Sequence, residues 1–200
     1  MKKMNFDRWA KLYAKEYRNQ IKYCDRSGRQ RVEVSATFST ISRDLRAKGY
    51  LTKSDFVSVC EWKTARPSKR YQKNNERSVR NATELILTDL NDTEAALQVL
   101  TNLKGVGVPV ASAILTVLDP TKYGIIDYRA YRALLWLQSD DSTFSRYAGF
   151  ADLTEKWRDY ASVAAYLEFV RTIRTIGEAK GLTARTIEMA LWKFDEKKGL

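Results

Sequence analysis

Apolar residues recur at intervals of three and four along most of the 200-residue chain, which is the spacing of one face of an α-helix. The first helix, over about residues 5–23, is predicted from Phe6, Trp9, Ala10, Tyr13 and Tyr17. The same spacing predicts further helices over about 36–48, 52–63, 75–89, 93–102, 108–118, 127–137, 155–179 and 184–194.

Glycine and hydroxyl residues mark the predicted helix ends. Glycine tolerates the left-handed conformation of a C-terminal cap, and a hydroxyl oxygen accepts from a free N-terminal N–H. Gly49 and Gly181 are the predicted C-terminal stops. The predicted N-terminal positions are Thr93, Thr154, Thr183 and either Thr52 or Ser54.

Strand signals are too few for a sheet, so we expect an all-α fold. Residues 26–35 are predicted as a loop, in which residues 32–34 could form a short strand, and residues 138–145 as another loop. The length suits one compact unit over 1–200. We expect a two-lobed helical bundle: N-terminal helices in 1–90, a central part in 91–137, and C-terminal helices in 138–200, part of which joins the N-terminal helices in one lobe.

The formal net charge of +11 favours a polyanionic partner, and nucleic acid is the commonest one. The most basic stretch, residues 63–80, has one negative charge, Glu76, against the positive charges of Lys63, Arg66, Lys69, Arg70, Lys73, Arg77 and Arg80. No apolar run is long enough for a bilayer, and no helix pairs a basic face with a bare apolar one. The basic N-terminus never becomes an apolar signal region, so a cytoplasmic location and no membrane contact are expected.

The chain contains no histidine and two cysteines, Cys24 and Cys60. Catalysis by Ser-His-Asp or Cys-His is therefore excluded, as is a four-cysteine zinc site or iron–sulfur cluster within one chain. No metal site built from side chains is expected, nor is a Cys24–Cys60 disulfide in a cytosolic protein. Carboxylate, lysine, tyrosine, serine and backbone groups remain for catalysis.

Two glycines, Gly105 and Gly107, lie between apolar residues in the segment LKGVGV that precedes the 108–118 helix. Such a tight turn needs positive φ, which glycine provides without a Cβ clash. The missing side chains and the helix N-terminus also let backbone N–H groups approach a phosphate. An ordinary glycine turn between two helices explains the same residues. The candidate phosphate-binding residues are Lys104, Gly105, Val106, Gly107 and Val108.

Asp127 follows the apolar pair Ile125 and Ile126 and precedes the helical run YRAYRALLWL. By itself it is well placed as an N-terminal helix cap. An aspartate at that position can also do chemistry, because a cap holds its carboxylate rigidly.

The spacing of the turn and the aspartate resembles the helix-hairpin-helix DNA glycosylase superfamily. The resemblance covers residues 93–137, and the C-terminal helices are compatible with it. The first ninety residues cannot be matched to a particular branch of the superfamily. Members have a Leu-Pro-Gly-Val-Gly type hairpin, an aspartate some twenty residues later, and an arginine five residues beyond it. The matching residues are Leu103, Gly105, Val106, Gly107, Asp127 and Arg132.

The resemblance implies a helix-hairpin-helix motif that grips a phosphate of double-stranded DNA, with Arg132 among the DNA-binding residues. A monovalent cation on the carbonyl oxygens of Leu103 and Val106 is the one cofactor it suggests. The target nucleotide would flip into a pocket between the lobes. Asp127 would stabilise positive charge at the anomeric carbon, and orient or deprotonate the attacking water.

Two positions depart from the family pattern. Lys104 stands where the usual hairpin has proline, and Pro109 stands where bifunctional members have the lysine that forms a Schiff base. The cluster cysteines of the family are also missing. The resemblance therefore implies a monofunctional glycosylase, which leaves an abasic site.

The segment CEWKTARPSKRYQKN, residues 60–74, interleaves aromatic residues with cations, which is typical of loops that contact nucleic acid. A solvated loop with Trp62 in the core explains it equally well. The candidate DNA-binding cations here are Lys63, Arg66, Lys69 and Arg70. In a DNA-facing loop, Trp62 or Lys63 would lie near the flipped base, and Trp62 and Tyr128 are the candidate base-pocket residues. Tyr71 is the second aromatic residue of the segment.

The leading hypothesis is a monomeric, monofunctional DNA glycosylase acting on a damaged or modified base in double-stranded DNA. A non-catalytic helix-hairpin-helix DNA-binding protein is the alternative, which Lys104 and Pro109 favour and Asp127 with Arg132 disfavours. An RNA-binding protein is a third, weaker reading. The sequence does not identify the target base, or whether the DNA is the cell's own or foreign.

Overall fold

The computed structural model describes residues 4–20, 34–64, 67–88, 92–140 and 160–199. Within these ranges the regular secondary structure is entirely helical, which confirms the all-α fold class there. The helices are α1 (Phe6–Gln20), α2 (Val34–Lys48), α3 (Lys53–Lys63), α4 (Ser68–Tyr71), α5 (Glu76–Thr88), α6 (Thr93–Thr101), α7 (Val108–Leu118), α8 (Tyr128–Asp140), α9 (Val163–Lys180) and α10 (Ala184–Lys198).

Several predicted helix ends are confirmed by their capping geometry. The Thr52 hydroxyl, rather than Ser54, accepts from the Asp55 N–H at 3.2 Å. The Thr183 hydroxyl accepts from the Thr186 N–H at 3.1 Å and starts α10. Gly49 and Gly181, with φ of 78° and 65°, end α2 and α9 in the left-handed conformation that glycine favours.

Helix α6 begins at Thr93 as predicted, and the side chain of Asp92 caps it by accepting from the Ala95 N–H at 2.9 Å. Other predicted boundaries are wrong. The long helix α9 begins after Ser162, well beyond the predicted cap Thr154, which lies outside the described residues together with residues 155–159. Two helices extend into predicted loops, since α8 continues to Asp140 and α2 begins at Val34. The rest of the suggested strand, residues 32–33, lies outside the described residues.

Helix α7 lies at the centre of the structure, because it is apolar around almost its whole circumference and buried along its length. It contacts α2, α3, α6 and α9. Helix α10 packs on α1, α8 and α9. Helix α9 therefore contacts both groups, and the segment that connects α7 to α8 runs between them. In the part of the chain that the structure describes, no helix is long and apolar enough to cross a membrane.

The segment from Asp119 to Asp127 is fixed to both α7 and α10. The Ala184 N–H donates to the Thr121 carbonyl oxygen at 3.1 Å, and the Ile126 N–H donates to the Ser112 hydroxyl of α7 at 3.1 Å. Gly124 is in close contact with α9 and α10, since a Cβ there would lie 2.5 Å from Ile173 Cδ1 and 2.9 Å from Glu188 Cβ. These contacts define the position of Asp127 at the end of the segment.

Candidate functional site

The turn between α6 and α7, residues 102–107, has one glycine with positive φ. Gly105 has φ of 89°, whereas Gly107 has φ of −104° and occupies the N-cap position of α7 in an extended conformation. The prediction of positive φ is therefore right for Gly105 and wrong for Gly107. Gly105 also lies close to α4, since a Cβ there would be 3.0 Å from both Arg70 Cβ and the Tyr71 ring.

The buried side chain of Asn74 fastens this turn to the end of α4. Its amide oxygen accepts from the Lys104 N–H at 2.8 Å, and its amide nitrogen donates to the Lys104 carbonyl oxygen at 3.0 Å. The same nitrogen donates to the Tyr71 carbonyl oxygen at 3.0 Å. One side chain thus satisfies both backbone groups of Lys104, so the turn is rigidly positioned relative to α4.

These contacts decide which backbone donors of the 102–107 turn remain available to an anion. The N–H of Lys104 is bonded to Asn74, and that of Val106 donates to the Leu103 carbonyl oxygen at 3.1 Å. Among the hydrogen bonds of the described residues, the N–H groups of Gly105, Gly107 and Val108 have no acceptor. The Leu103 oxygen keeps a second lone pair, and the monovalent cation on it and on Val106 remains a prediction.

Exposed cations lie on the turn and on the neighbouring helix α4. The Lys104 side chain is exposed, as are Lys69 and Arg70 on α4, and Arg70 lies directly beside Gly105. Arg66 lies outside the described residues. The predicted DNA-facing loop is in part helical, because it contains the end of α3 and the whole of α4. Tyr71 of this segment is fully buried, which excludes stacking on an exposed base in this conformation.

Asp127 occupies the N-cap position of α8, and both of its carboxylate oxygens have partners. Oδ1 accepts from the Arg129 N–H at 3.1 Å, and Oδ2 accepts from the Lys63 ammonium at 3.0 Å. The Asp127 side chain is 32% exposed and that of Lys63 is 12% exposed. The ion pair joins α3 to α8 across 64 residues of sequence, and Lys63 is turned toward Asp127 rather than grouped with the cations of α4.

A cavity of about 80 Å³ lies beside the Asp127 carboxylate. Its walls come from α1, α3, α10 and the segment before α8, and they combine aromatic and charged side chains. The lining residues are Tyr13, Trp62, Lys63, Ile125, Asp127, Arg185, Glu188 and Trp192. We call this space the Asp127 cavity.

The α10 wall of the Asp127 cavity contains a second ion pair, between the guanidinium of Arg185 and the carboxylate of Glu188. The Glu188 carboxylate also accepts from the Ile125 N–H at 3.4 Å, and its side chain is 3% exposed. Arg185 in turn donates to the Tyr13 hydroxyl at 3.4 Å, which links α10 to α1. Both carboxylates that line the cavity are therefore paired with a cation.

The sequence-predicted pocket residues have different surroundings. Trp62 lines the Asp127 cavity, and its ring makes an edge contact with Phe38 at a centroid distance of 4.4 Å. Tyr128 is not among the lining residues; its hydroxyl accepts from Arg132 Nη1 at 2.6 Å. Tyr160 lies close enough to Asp127 to be affected by it, because burial and, second to it, the Asp127 charge raise the pKa of the Tyr160 hydroxyl.

Arg132, which the family pattern places among the DNA-binding residues, binds a fully buried carboxylate of α10. Its Nε and Nη2 donate to Oδ1 and Oδ2 of Asp195 at 2.6 and 2.8 Å, a bidentate arrangement. Hydrogen bonding to Asp195 raises the pKa of Arg132 above its usual value. Arg129 adds a third contact to Asp195 at 3.3 Å. Arg132 thus joins α8 to α10, and its contact with DNA remains a prediction.

Sequence reasoning missed the α10 wall, although a signal for it exists. Arg185, Glu188 and Trp192 follow one another at intervals of three and four, so they share one helix face. That spacing is equally typical of a core-facing stripe. Only the tertiary contact with α3 and α1 places these side chains in the same cavity as Asp127.

Comparison with known proteins found no relative of this chain. Neither a protein-family model, nor a curated protein, nor a solved structure matches the chain. Among the described residues, no group of three or more histidine, cysteine, aspartate or glutamate side chains could hold a metal ion.

Proposed function

We propose that the chain is a DNA glycosylase that hydrolyses the N-glycosidic bond of a flipped damaged or modified base and leaves an abasic site. The single observation that carries the proposal is the place of Asp127. Its carboxylate is held at the start of α8, one-third exposed, and lines a cavity with Trp62 and Trp192. The proposal includes double-stranded DNA as partner, a monomeric protein and a cytoplasmic location.

In this proposal α6, the 102–107 turn and α7 form a helix-hairpin-helix motif. The N–H groups of Gly105, Gly107 and Val108, at the positive end of the α7 dipole, bind a phosphate beside the target nucleotide. The exposed cations Lys69, Arg70 and Lys104 neutralise neighbouring phosphates. Such contacts position the duplex without reading its sequence.

The chemistry follows from the rigidity of Asp127. Cleavage of the N-glycosidic bond develops positive charge on the sugar, and a carboxylate fixed beside the anomeric carbon stabilises it. Its hydrogen bond to the Arg129 N–H orients the carboxylate and need not be broken during the reaction. The flipped nucleotide would enter between two lobes, one around α7 and the other around α10.

Base release by hydrolysis alone is supported by Pro109, which has no amine where bifunctional members have their lysine. No covalent adduct with DNA should therefore be trapped by borohydride.

A second candidate function is a helix-hairpin-helix DNA-binding protein without activity, and the size of the Asp127 cavity favours it. A dry cavity of about 150 Å³ accommodates benzene. At about 80 Å³, the Asp127 cavity is smaller than that, and a nucleobase is larger than benzene. A glycosylase would have to move side chains at this cavity when the base enters.

A panel of duplexes with different modified bases, treated with alkali after incubation, separates the two candidates. Asp127→Asn should keep DNA binding and lose base release by about 10²–10⁴-fold, which is the usual contribution of such a group. Asp92→Asn is the matched control, because Asp92 also caps a helix but lies at the far end of α6 from the turn. Base release by Asp127→Asn at the wild-type rate would show that the mechanism is wrong. DNA binding without release of any base by the wild type would favour the binding protein.

A further inference from the structure

We infer that the ion pair between Lys63 and Asp127 restricts the reaction to neutral bases, which leave as anions, and disfavours positively charged alkylated bases. The inference names the substrate class of the proposed glycosylase and rests on that proposed function. It assigns Lys63 to the leaving base rather than to a phosphate.

The two charges are close together, and the lysine is largely shielded from water. Lys63 Nζ lies 3.0 Å from Asp127 Oδ2, and the Lys63 side chain is 12% exposed. Charges in such a place are screened less by water and salt than charges on the surface. Lys63 is the last residue of α3, where the negative end of the helix dipole favours a cation. The positive charge of Lys63 is therefore stabilised by the C-terminal end of α3 as well as by Asp127.

The reaction creates a positive charge on the sugar and a negative charge on the base, and the ion pair offers the opposite charge to each. The bond between C1′ and the base nitrogen breaks, and its electron pair goes to the base. The sugar becomes positive, and a base that was neutral becomes an anion. Water then adds its oxygen to C1′, and one of its protons ends on the base nitrogen. With Asp127 beside the sugar, Lys63 supplies a positive charge one hydrogen bond away, where the negative charge develops.

A positively charged base needs the opposite environment. An alkylated purine with a formal positive charge leaves as a neutral molecule, so a cation beside it repels the base as it enters the cavity and does not stabilise the departing form. The Asp127 cavity contains two cations, Lys63 and Arg185, and both of its carboxylates are paired with them. Among the described residues that line the cavity, no carboxylate is left without a cation to attract a cationic base.

The test measures single-turnover base release by the full chain from two sets of duplexes, at enzyme concentrations below saturation, so that the rate includes entry of the base into the cavity. One set contains neutral bases, such as uracil, 5-hydroxymethyluracil and hypoxanthine. The other contains the cationic base 7-methylguanine, and its spontaneous loss is subtracted. The wild type should release at least one neutral base and should accelerate loss of 7-methylguanine less. This comparison needs no variant, so it holds even if a variant fails to fold.

Substitution of Lys63 then tests its role. Lys63→Met should lower the rate for the neutral base by about 10²-fold, the usual cost of removing one preorganised donor. It should not lower the rate for 7-methylguanine. Lys63→Arg keeps the charge and should restore most of the neutral-base rate. Lys11→Met, at an exposed lysine of α1, is the control.

The outcomes separate this inference from the proposed function. Preference of the wild type for 7-methylguanine, or an equal loss of both rates in Lys63→Met, would overturn the inference and leave the glycosylase intact. An equal loss would mean that Lys63 only supports the local structure. Failure of the wild type to release any base from duplexes that it binds would overturn both.

Discussion

The side chain of Asn74 pairs with both backbone polar groups of Lys104, as a neighbouring strand would. It accepts from the Lys104 N–H at 2.8 Å and donates to the Lys104 carbonyl oxygen at 3.0 Å. Asn74→Ala leaves both groups without a partner in a partly buried place. We expect a loss of about 1–3 kcal/mol of unfolding free energy, the usual cost of unsatisfied buried groups. We also expect weaker DNA binding, because the turn loses its fixed position. Urea denaturation and DNA titration at low salt measure the two effects.

Asn74→Asp is the matched variant, because it keeps the acceptor for the Lys104 N–H and loses the donor to its carbonyl. Amide hydrogen exchange at Lys104 should therefore be faster in Asn74→Ala than in Asn74→Asp. Equal DNA affinity for the wild type and Asn74→Ala, in a folded protein, would show that the 102–107 turn does not bind phosphate.

Arg132→Met should destabilise the protein strongly. Among the described residues, it leaves the fully buried Asp195 carboxylate with only the 3.3 Å contact to Arg129. Loss of one partner of a buried ion pair costs about 3–5 kcal/mol. Arg43→Met is the control, because the Arg43–Asp44 pair is exposed and such pairs contribute about 0–1 kcal/mol. Thermal or urea unfolding measures both variants.

The same variant tests the predicted DNA contact of Arg132. If Arg132 also binds a phosphate, the slope of log affinity against log salt should fall by about one in Arg132→Met. An unchanged slope, measured where the variant is folded, would assign Arg132 to the fold alone.

The contact between α1 and α10 should weaken in acid. The Glu16 carboxylate accepts from Lys193 at 2.7 Å and from Lys197 at 2.9 Å. The hydrogen bond to Lys193, followed by that to Lys197, lowers the pKa of Glu16 below its ordinary value of 4.5. A lowered pKa means that this stabilisation is fully present above pH 4.5 and disappears as the pH falls through the folded-state pKa.

Glu16→Gln should therefore melt at a lower temperature than the wild type near neutral pH, and the difference should shrink as the pH falls below 4.5. Glu94→Gln, at an exposed position of α6, is the control and should show no such convergence. A difference between wild type and Glu16→Gln that is constant with pH would contradict the role of this ion pair.

The success of sequence-based prediction depended on the range of the interaction involved. Thr52, Thr183, Gly49 and Gly181 act within one turn of their own helix, and their roles were predictable from local sequence. The start of α6 at Thr93 was predictable in the same way, since its cap, Asp92, is the residue immediately before it. Tyr71 was predicted as a possible stacking residue but is buried. The basic residues around it gave no sign of the short helix α4, which it ends.

The candidate site shows the same limit. Asp127, Lys63 and Trp62 were each selected from sequence, but nothing in the spacing of Lys63 and Asp127 predicts that their side chains are 3.0 Å apart. Arg185 and Glu188 were not selected at all, since their helix lacks any motif. Contacts between helices that are distant in sequence created both ion pairs of the Asp127 cavity.

The residues that line the Asp127 cavity extend from Tyr13 to Trp192, whereas the Asn74 contact and the 102–107 turn come from a continuous stretch of about thirty residues. A proteolytic fragment that begins at Leu51 and ends at Leu137 would retain the turn, Lys63 and Asp127. It would lack Tyr13, Arg185, Glu188 and Trp192, which are half of the residues that line the cavity. The Asn74 contact is thus local to one stretch of the chain, whereas a complete Asp127 cavity requires the two terminal helices α1 and α10.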